Sequence, residues 1–355
     1  MRIVAAMSGG VDSSVVAGLL AEQGHEVIGV TLQLYDNGAA TRTGRSCCAG
    51  QDIHDARDVA DRLGIAHYVI DREARFRRAV IDDFADSYAA GETPVPCIRC
   101  NMSVKFTDLL ALAKDLGAEA LATGHYVRRI ETAHGPELHR ARDPARDQSW
   151  FLFATTATQL AYTRFPLGDM PSKAAVRAEA ARLGLPVAEK PDSQDLCFVP
   201  GGNYAALVAR LRPDAATPGD IVTADGRVLA THQGIARYTV GQSRALGAAT
   251  HDAGQRQAVL SVDAATRRIT VGPRFAGATM LHLTEMNWLT TPAAIRCTVK
   301  LRARETPHPA EIHPTPAGAT VHLETPSFAA PGQACVLYDG DRILGGGFIA
   351  ARPPS

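Results

Sequence analysis

The sequence predicts an α/β domain with a parallel sheet over residues 1–195, followed by two small β-rich modules over 196–280 and 281–355. Two patterns carry this. Up to about residue 190, apolar runs suited to buried strands alternate with apolar residues at helical spacing, as in a parallel sheet covered on both faces. Beyond about 215 come short strands punctuated by turn signals. At 355 residues, 46% hydrophobic and 21% charged, the chain has room for two or three ordinary cores.

In order, residues 3–6 form a strand, and Val15, Val16, Leu19 and Leu20 mark a helix face. A strand over 27–32 is followed by a helix carrying Ile53, Ala56, Val59, Ala60 and Leu63. Residues 66–70 are a strand, and Val80, Ile81, Phe84 and Tyr88 mark the next helix. Leu109, Leu110, Leu112, Ala113 and Leu116 mark another, before a strand at 120–123. A loop and a short helix fill 195–210. Pro218-Gly219-Asp220 and Asp225-Gly226 read as turns, and 259–262 with 268–271 as a hairpin. Strands follow at 299–302, 321–323, 334–338 and 343–349, with Asp339-Gly340 as a hairpin turn. The tail 352–355 reads as loose.

Lys plus Arg and Asp plus Glu both number 37, so bulk charge announces no nucleic-acid partner. Such a partner would meet local clusters: Arg128-Arg129, Arg140 with Arg142, Arg146, Arg267-Arg268, and Lys300, Arg302 and Arg304, which would alternate onto one strand face. Each cluster also reads as solvated surface. No apolar run of about 18 residues predicts a membrane span, and no signal-peptide pattern opens the chain. Seven cysteines without a small secreted framework point to a reducing cytosol with some thiols doing chemistry.

The chain is organised around Ser8-Gly9-Gly10-Val11-Asp12-Ser13-Ser14, between the first strand and the first helix. Two glycines allow a tight turn, the helix start offers free N–H groups, and three serines add hydroxyls; together they suit a phosphate. The lysine of a Walker loop is missing, and the dinucleotide G-x-G-x-x-G spacing is absent. The stretch resembles the S-G-G-x-D-S loop of the PP-loop ATP pyrophosphatases, which split ATP between its α and β phosphates and leave an adenylylated intermediate. The bland alternative is a capped helix without a ligand. Asp12 reads equally as a metal or loop assistant and as a helix-start residue, and His125 as a nucleotide contact or a turn cap.

Cys97 and Cys100 sit in Pro94-Val95-Pro96-Cys97-Ile98-Arg99-Cys100-Asn101, an extended approach with a helix expected from Ser103 or Phe106. Cys100 would then lie near a helix start beside Arg99 and Lys105, both favouring the thiolate. Cys197 lies in Asp192-Ser193-Gln194-Asp195-Leu196-Cys197-Phe198. A zinc site lacks its second C-x-x-C pair, and a thioredoxin-like pair has the wrong flanks. A sulfur-transfer site needs one thiol to carry sulfur and another to release it. Cys47 and Cys48 read as loop residues, Cys297 and Cys335 as small core residues, and Trp150 and Phe151 as core.

These segments, with Ala122-Thr123-Gly124-His125-Tyr126, Asp147-Gln148-Ser149-Trp150, Tyr238-Thr239-Val240-Gly241-Gln242 and Gly345-Gly346-Gly347, run in family order over residues 8–347. Together they resemble the bacterial tRNA-specific 2-thiouridylases, which place sulfur at position 2 of the wobble uridine (position 34). The resemblance implies a PP-loop domain of the adenine nucleotide alpha hydrolase type, a small central domain and a C-terminal β-barrel. It implies ATP at Ala6, Met7, Ser8, Gly9, Gly10, Val11, Asp12, Ser13, Leu32 and Gly124, with Mg²⁺. Cys100 would be the nucleophile and Cys197 the persulfide carrier, the two ending as a disulfide. Val95, Pro96 and Cys97 would face the target base, and Arg146, Asp147, Gln148 and Arg302 would contact tRNA. Implied partners are the anticodon loops of tRNAs such as those for Lys, Glu and Gln, and a cysteine desulfurase or sulfur relay; a monomer is expected. The sequence departs from part of the family at Cys97, where some members carry Asp. Cys97, Cys100 and Cys197 therefore also allow a [4Fe-4S] cluster route. Two other readings stand beside this one: a PP-loop amidating synthetase, and a tRNA-binding module with a relic loop.

Overall fold

The computed structural model describes residues 1–35, 48–192, 196–199, 201–274 and 277–351. The chain divides into two units: residues 1–80, 97–198 and 341–343, and residues 81–96, 199–340 and 344–355.

The first unit is built on a five-stranded parallel sheet of β1 (Arg2–Ala6), β2 (Glu26–Gln33), β3 (Ala66–Asp71), β4 (Ala120–Ala122) and β7 (Thr163–Arg164), in the order β3-β2-β1-β4-β7. Ile3, Val4 and Ala5 of the central strand are essentially inaccessible, as a strand covered on both faces must be. Helices α1 (Val11–Glu22), α2 (Cys48–Leu63), α6 (Phe106–Asp115), α7 (Ala157–Tyr162) and α8 (Lys173–Arg182) belong to this unit. Val15, Val16 and Leu20 of α1 meet Val59 and Ala60 of α2 and Val176 of α8 in its core. A short helix α3 (Glu73–Phe76) and the hairpin β5 (Val127–Thr132) with β6 (Gly135–Arg140) also belong to this unit. The strand order reverses at β1, with β2 on one side and β4 on the other. The loops at the carboxyl ends of β1 and β4 therefore diverge and leave a crevice, the usual ligand position in such a sheet.

In the second unit, α4 (Asp83–Ala89) and α9 (Tyr204–Leu211) pack through Tyr88 stacked on Tyr204, with centroids 5.1 Å apart. A mixed sheet takes the order β10-β11-β12-β8-β9, from β8 (Gly219–Thr223), β9 (Val228–His232), β10 (His251–Asp252), β11 (Gln255–Asp263) and β12 (Arg268–Pro273). The remaining strands are β13 (Ala278–Trp288), β14 (Ile295–Lys300), β15 (His308–Thr315), β16 (Gly318–Ser327), β17 (Ala334–Asp339) and β18 (Arg342–Ile349). They run β13-β16-β15-β14-β17-β18 and close by β18 pairing β13, a six-stranded barrel. Alternate residues such as Leu281, Leu283, Val299, Ile312, Val321 and Leu337 fill it. The expected fold class, α/β first and β-rich after, is the one observed.

Several local expectations need correcting. The proline-rich approach is not extended up to Cys100: helix α5 (Pro96–Cys100) runs through a π-helical turn (Asn101–Lys105) into α6. Pro96 takes the first helical position, where its missing N–H costs nothing. Gly219 opens strand β8 instead of a turn. β14 stops at Lys300, because the Glu305 carboxylate accepts from the N–H groups of Leu301 and Arg302 and folds the chain into a turn. Arg302 and Arg304 therefore do not alternate along a strand, and Lys300 is buried with its Nζ donating to Ala303 O at 2.6 Å. Cys48 begins helix α2 and is not in a loop; Cys47, Ser193, Gln194, Asp195 and the tail 352–355 lie outside the described residues. Cys335 is buried and Cys297 packs against the barrel core, as read. No helix among the described residues is long and apolar enough to cross a membrane.

Candidate active site at the carboxyl edge of the sheet

The crevice beyond β1 and β4 opens into a cavity of about 240 Å³. Ala6, Met7 and Ser8 line it after β1, Asp12 and Ser13 from α1, and Thr123, Gly124 and His125 after β4. Val30, Leu32 and Leu34 from the β2 side face Phe106 and Leu109 of α6, with Lys105 and Gln148 completing the wall. One end is apolar enough for a purine ring; the other is the glycine loop. Gly9, Gly10 and Val11 form the turn itself, with Val11 buried beneath it.

Backbone geometry dictates this loop. Gly9 has φ +73°, and a Cβ there would stand 2.1 Å from Asp52 O. Gly10 caps α1 at φ −92° without a side-chain cap, so the first-turn N–H groups stay available to an anion. A Cβ on Gly124 would come within 2.9 Å of Ser13 N, so only glycine lets the β4 loop close against the helix start. Not every serine is free for phosphate. Ser14 is buried and donates to Gly10 O at 2.9 Å, and Ser13 Oγ donates to the same oxygen at 3.1 Å while accepting from Ser8 N.

Two lysines that no local pattern marks hold the loop in place. Lys173 Nζ reaches both oxygens of Asp12 at 2.7 and 2.8 Å, and Asp192 Oδ1 at 2.8 Å. Tyr126 OH donates to Asp12 at 2.6 Å, and Arg146 Nη1 donates to Asp192 at 2.8 Å. Burial works to raise the Asp192 carboxyl, but Lys173 and Arg146 hold it below the usual range. Lys190 Nζ donates to Gly9 O at 3.0 Å and Asp52 at 2.6 Å, and pairs with Asp55. Asp12 is thus more than a helix-start residue: it is a carboxylate of a partly buried ionic network that ties the loop to Lys173 and Tyr126. His125 is set among protein atoms along the cavity wall, stacked on Phe106 with centroids 6.0 Å apart. Burial, helped by Lys105, lowers it to about 3, so it is a neutral ring at any physiological pH.

Cys97 is exposed on the first turn of α5, Cys100 is buried one turn on, and Cys197 is exposed; all three are free thiols. Lys105 interacts electrostatically with all three, and Cys197 with both of the others. The expected activation of Cys100 is overturned in sign. Burial pushes its thiol up, and Lys105 offsets only part of that. Cys97 is raised likewise, and Cys197 is pushed up to about 12, by the protein atoms around each sulfur, with Lys105 acting against the rise. Among the described residues, no three His, Cys, Asp or Glu side chains converge as metal ligands, so these thiols do not frame a cluster in this arrangement.

Of the residues implied for RNA, Val95 and Pro96 are buried. Arg146 faces Asp192, and Asp147 accepts from the N–H groups of Ala141 and Ser149. Gln148 Oε1 accepts from Tyr126 N at 2.9 Å. Arg302 is exposed, with Nη2 3.3 Å from Phe328 O.

Three family models match: a tRNA methyl transferase HUP domain over residues 1–201, a tRNA methyl transferase PRC-barrel domain over 207–273, and an aminomethyltransferase beta-barrel domain over 278–349. The chain is 70% identical over 351 residues to the tRNA-specific 2-thiouridylase MnmA of Acidiphilium cryptum, covering 98% of this chain and all of that one. It is 60% identical to the protein of that name from Gluconobacter oxydans, covering 99% of each. The chain belongs to the tRNA-specific 2-thiouridylase family. Among solved structures, a 4-thiouridine synthetase–RNA complex with bound ATP matches 60% of this chain and 50% of its own, at TM-score 0.36 and 16% identity. In this chain the glycine loop, the three thiols and Lys105 all belong to the first unit.

Proposed function

We propose that the chain catalyses ATP-dependent 2-thiolation of the wobble uridine of tRNA, in the cytoplasm and as a monomer. The observation that carries this is a nucleotide-sized cavity whose wall residue Lys105 also neighbours Cys97, Cys100 and Cys197. The chemistry needs both halves. The C2 oxygen of uracil is a poor leaving group, so it attacks the α-phosphate of ATP, pyrophosphate departs, and an adenylylated base remains. The loop N–H groups stabilise charge developing on the phosphates, and Mg²⁺ enters as the counter-ion of substrate ATP.

Sulfur arrives from a cysteine desulfurase or relay as a persulfide on Cys197. Its terminal sulfur forms a bond to C2 and AMP leaves. Cys100 attacks Cys197 Sγ, the S–S bond breaks, and a Cys100–Cys197 disulfide remains for a thiol reductant to clear. In the variant of this route, Cys100 first releases hydrosulfide, which then adds to C2. Access to C2 requires the base to leave the anticodon stack, which a single-stranded loop permits at modest cost. Residues 1–195, together with Cys197 just beyond them, would carry the chemistry. Val95, Pro96 and Cys97 would meet the base, while Arg146, Asp147, Gln148 and Arg302 would meet the RNA of tRNAs such as those for Lys, Glu and Gln.

The deciding experiment is mass analysis of tRNA nucleosides after anaerobic incubation with unmodified tRNA, ATP, Mg²⁺ and cysteine with a cysteine desulfurase, which delivers persulfide sulfur, and in parallel with sulfide alone, before and after iron–sulfur reconstitution. The expected result is 2-thiouridine with AMP as purified, retained in Cys97→Ser and lost in Cys100→Ser and Cys197→Ser. Activity only after reconstitution, lost in Cys97→Ser as well, would replace the persulfide route with a cluster on all three thiols. AMP without a thiolated base would favour an amidating synthetase.

A further inference from the structure

Lys105 closes the π-helical turn between α5 and α6 and lines the nucleotide cavity. Among the described residues, no carboxylate pairs with its ammonium. Among the described residues, the titratable groups that interact with it are Cys97 and Cys100 from α5, Cys197 from the chain beyond Asp192, and His125 from the β4 loop. His125 is neutral, and all three thiols are raised, so at neutral pH none of these neighbours carries charge. Among the described residues this partly buried cation has no anion against it, an arrangement that is costly and suits a site that receives one. The reaction offers two. On the cavity side that anion would be a nucleotide phosphate, but it departs with pyrophosphate and AMP. On the thiol side it would be a persulfide on Cys197, a stronger acid than a thiol because the second sulfur spreads the charge.

We propose that Lys105 is the counter-ion of the sulfur anion, pairing first with the terminal persulfide sulfur on Cys197 and then with the Cys100 thiolate that attacks Cys197. This rests on the thiolation reading above. It accounts for how thiols held above their ordinary range become nucleophiles: Lys105 rewards the anionic form of whichever sulfur occupies the site, while burial keeps idle thiols protonated and unreactive.

The test compares Lys105→Met, Lys105→Gln and Lys105→Arg in the full chain. Iodoacetamide alkylation of Cys100 and Cys197 is followed against pH by peptide mass, without tRNA. Loss of the cation is expected to slow alkylation at fixed pH about tenfold, with the midpoint moving up by about one unit, and Lys105→Arg to restore it. Single-turnover sulfur transfer is expected to fall further than AMP formation. Unchanged alkylation profiles in both neutral variants, with only a raised KM for ATP, would overturn the proposal and make Lys105 a nucleotide ligand. Thermal melts with and without ATP verify folding, and Lys105→Gln decides if Lys105→Met does not fold. A wild-type chain that makes no 2-thiouridine would sink the thiolation reading, while the alkylation profiles still judge Lys105.

Discussion

Gly9 and Gly10 are neighbours, yet each is glycine for a different reason. Gly9 is required by the fold: its φ is +73° and a Cβ would strike the Asp52 carbonyl at 2.1 Å. Gly9→Ala is expected to destabilise the chain by about 2 kcal/mol or more, visible as a lowered melting temperature. At Gly10 the nearest obstacle to a Cβ is Ser8 Oγ at 3.6 Å, ordinary contact, and φ is −92°. On the proposed function, the open volume there would serve a ligand. Gly10→Ala should therefore fold within about 1 kcal/mol of wild type and lose AMP formation; a variant that keeps AMP formation would remove the phosphate from this turn. His125 supplies a second expectation at this scale. Its folded value, about 3, lies below that of a free histidine, so the unfolded chain binds more protons between the two values. Stability is fully present above pH 6.5 and declines on acidification, by about 1.5 kcal/mol between pH 6.5 and 5 from this residue. His125→Gln should flatten that part of a denaturation-versus-pH curve.

At the scale of elements, Lys173 on α8 joins the start of α1, through Asp12, to the segment entering the Cys197 loop, through Asp192. Removing it would leave two carboxylates facing one another without their cation. Lys173→Met is expected to cost about 3 kcal/mol at pH 7 in urea denaturation. Asp192 is held below its free value, so its share of stability is present above about pH 4 and is lost as pH falls through the folded value. The gap between wild type and variant should accordingly narrow in acid; a constant gap would mean lost packing alone. The strands and helices around this network were legible because period and burial coincide: residues 3–6 and 27–32 are apolar because both faces are covered. The glycine loop was legible because its strand–turn–helix context is contiguous in sequence. Lys173 and Lys190 were not, since each meets the loop from more than 150 residues away and a lone lysine has no pattern. Pro96 misled because proline suits both an extended approach and a first helical turn. The sign of the Cys100 shift was misread because charged neighbours are visible in a sequence, whereas burial, which outweighs them here, is not.

For the whole molecule, the equal counts of 37 basic and 37 acidic residues set the terms on which an RNA can be held. A neutral protein has no long-range field to attract a polyanion, so affinity must come from a small number of phosphate contacts. The barrel strand once expected to display three cations ends at Lys300, whose ammonium donates to Ala303 O; Arg302 and Arg304 are exposed cations beyond it. If Arg302 holds a phosphate, tRNA affinity measured between 50 and 200 mM salt should fall along a log–log line of modest slope. Arg302→Ala should weaken binding and reduce that slope by about one contact, because each neutralised phosphate releases roughly one counter-ion. Its position outside the first unit's nucleotide cavity means that KM for ATP should be unchanged. A slope identical to that of the wild type would remove Arg302 from the RNA surface and shift the burden to other exposed cations.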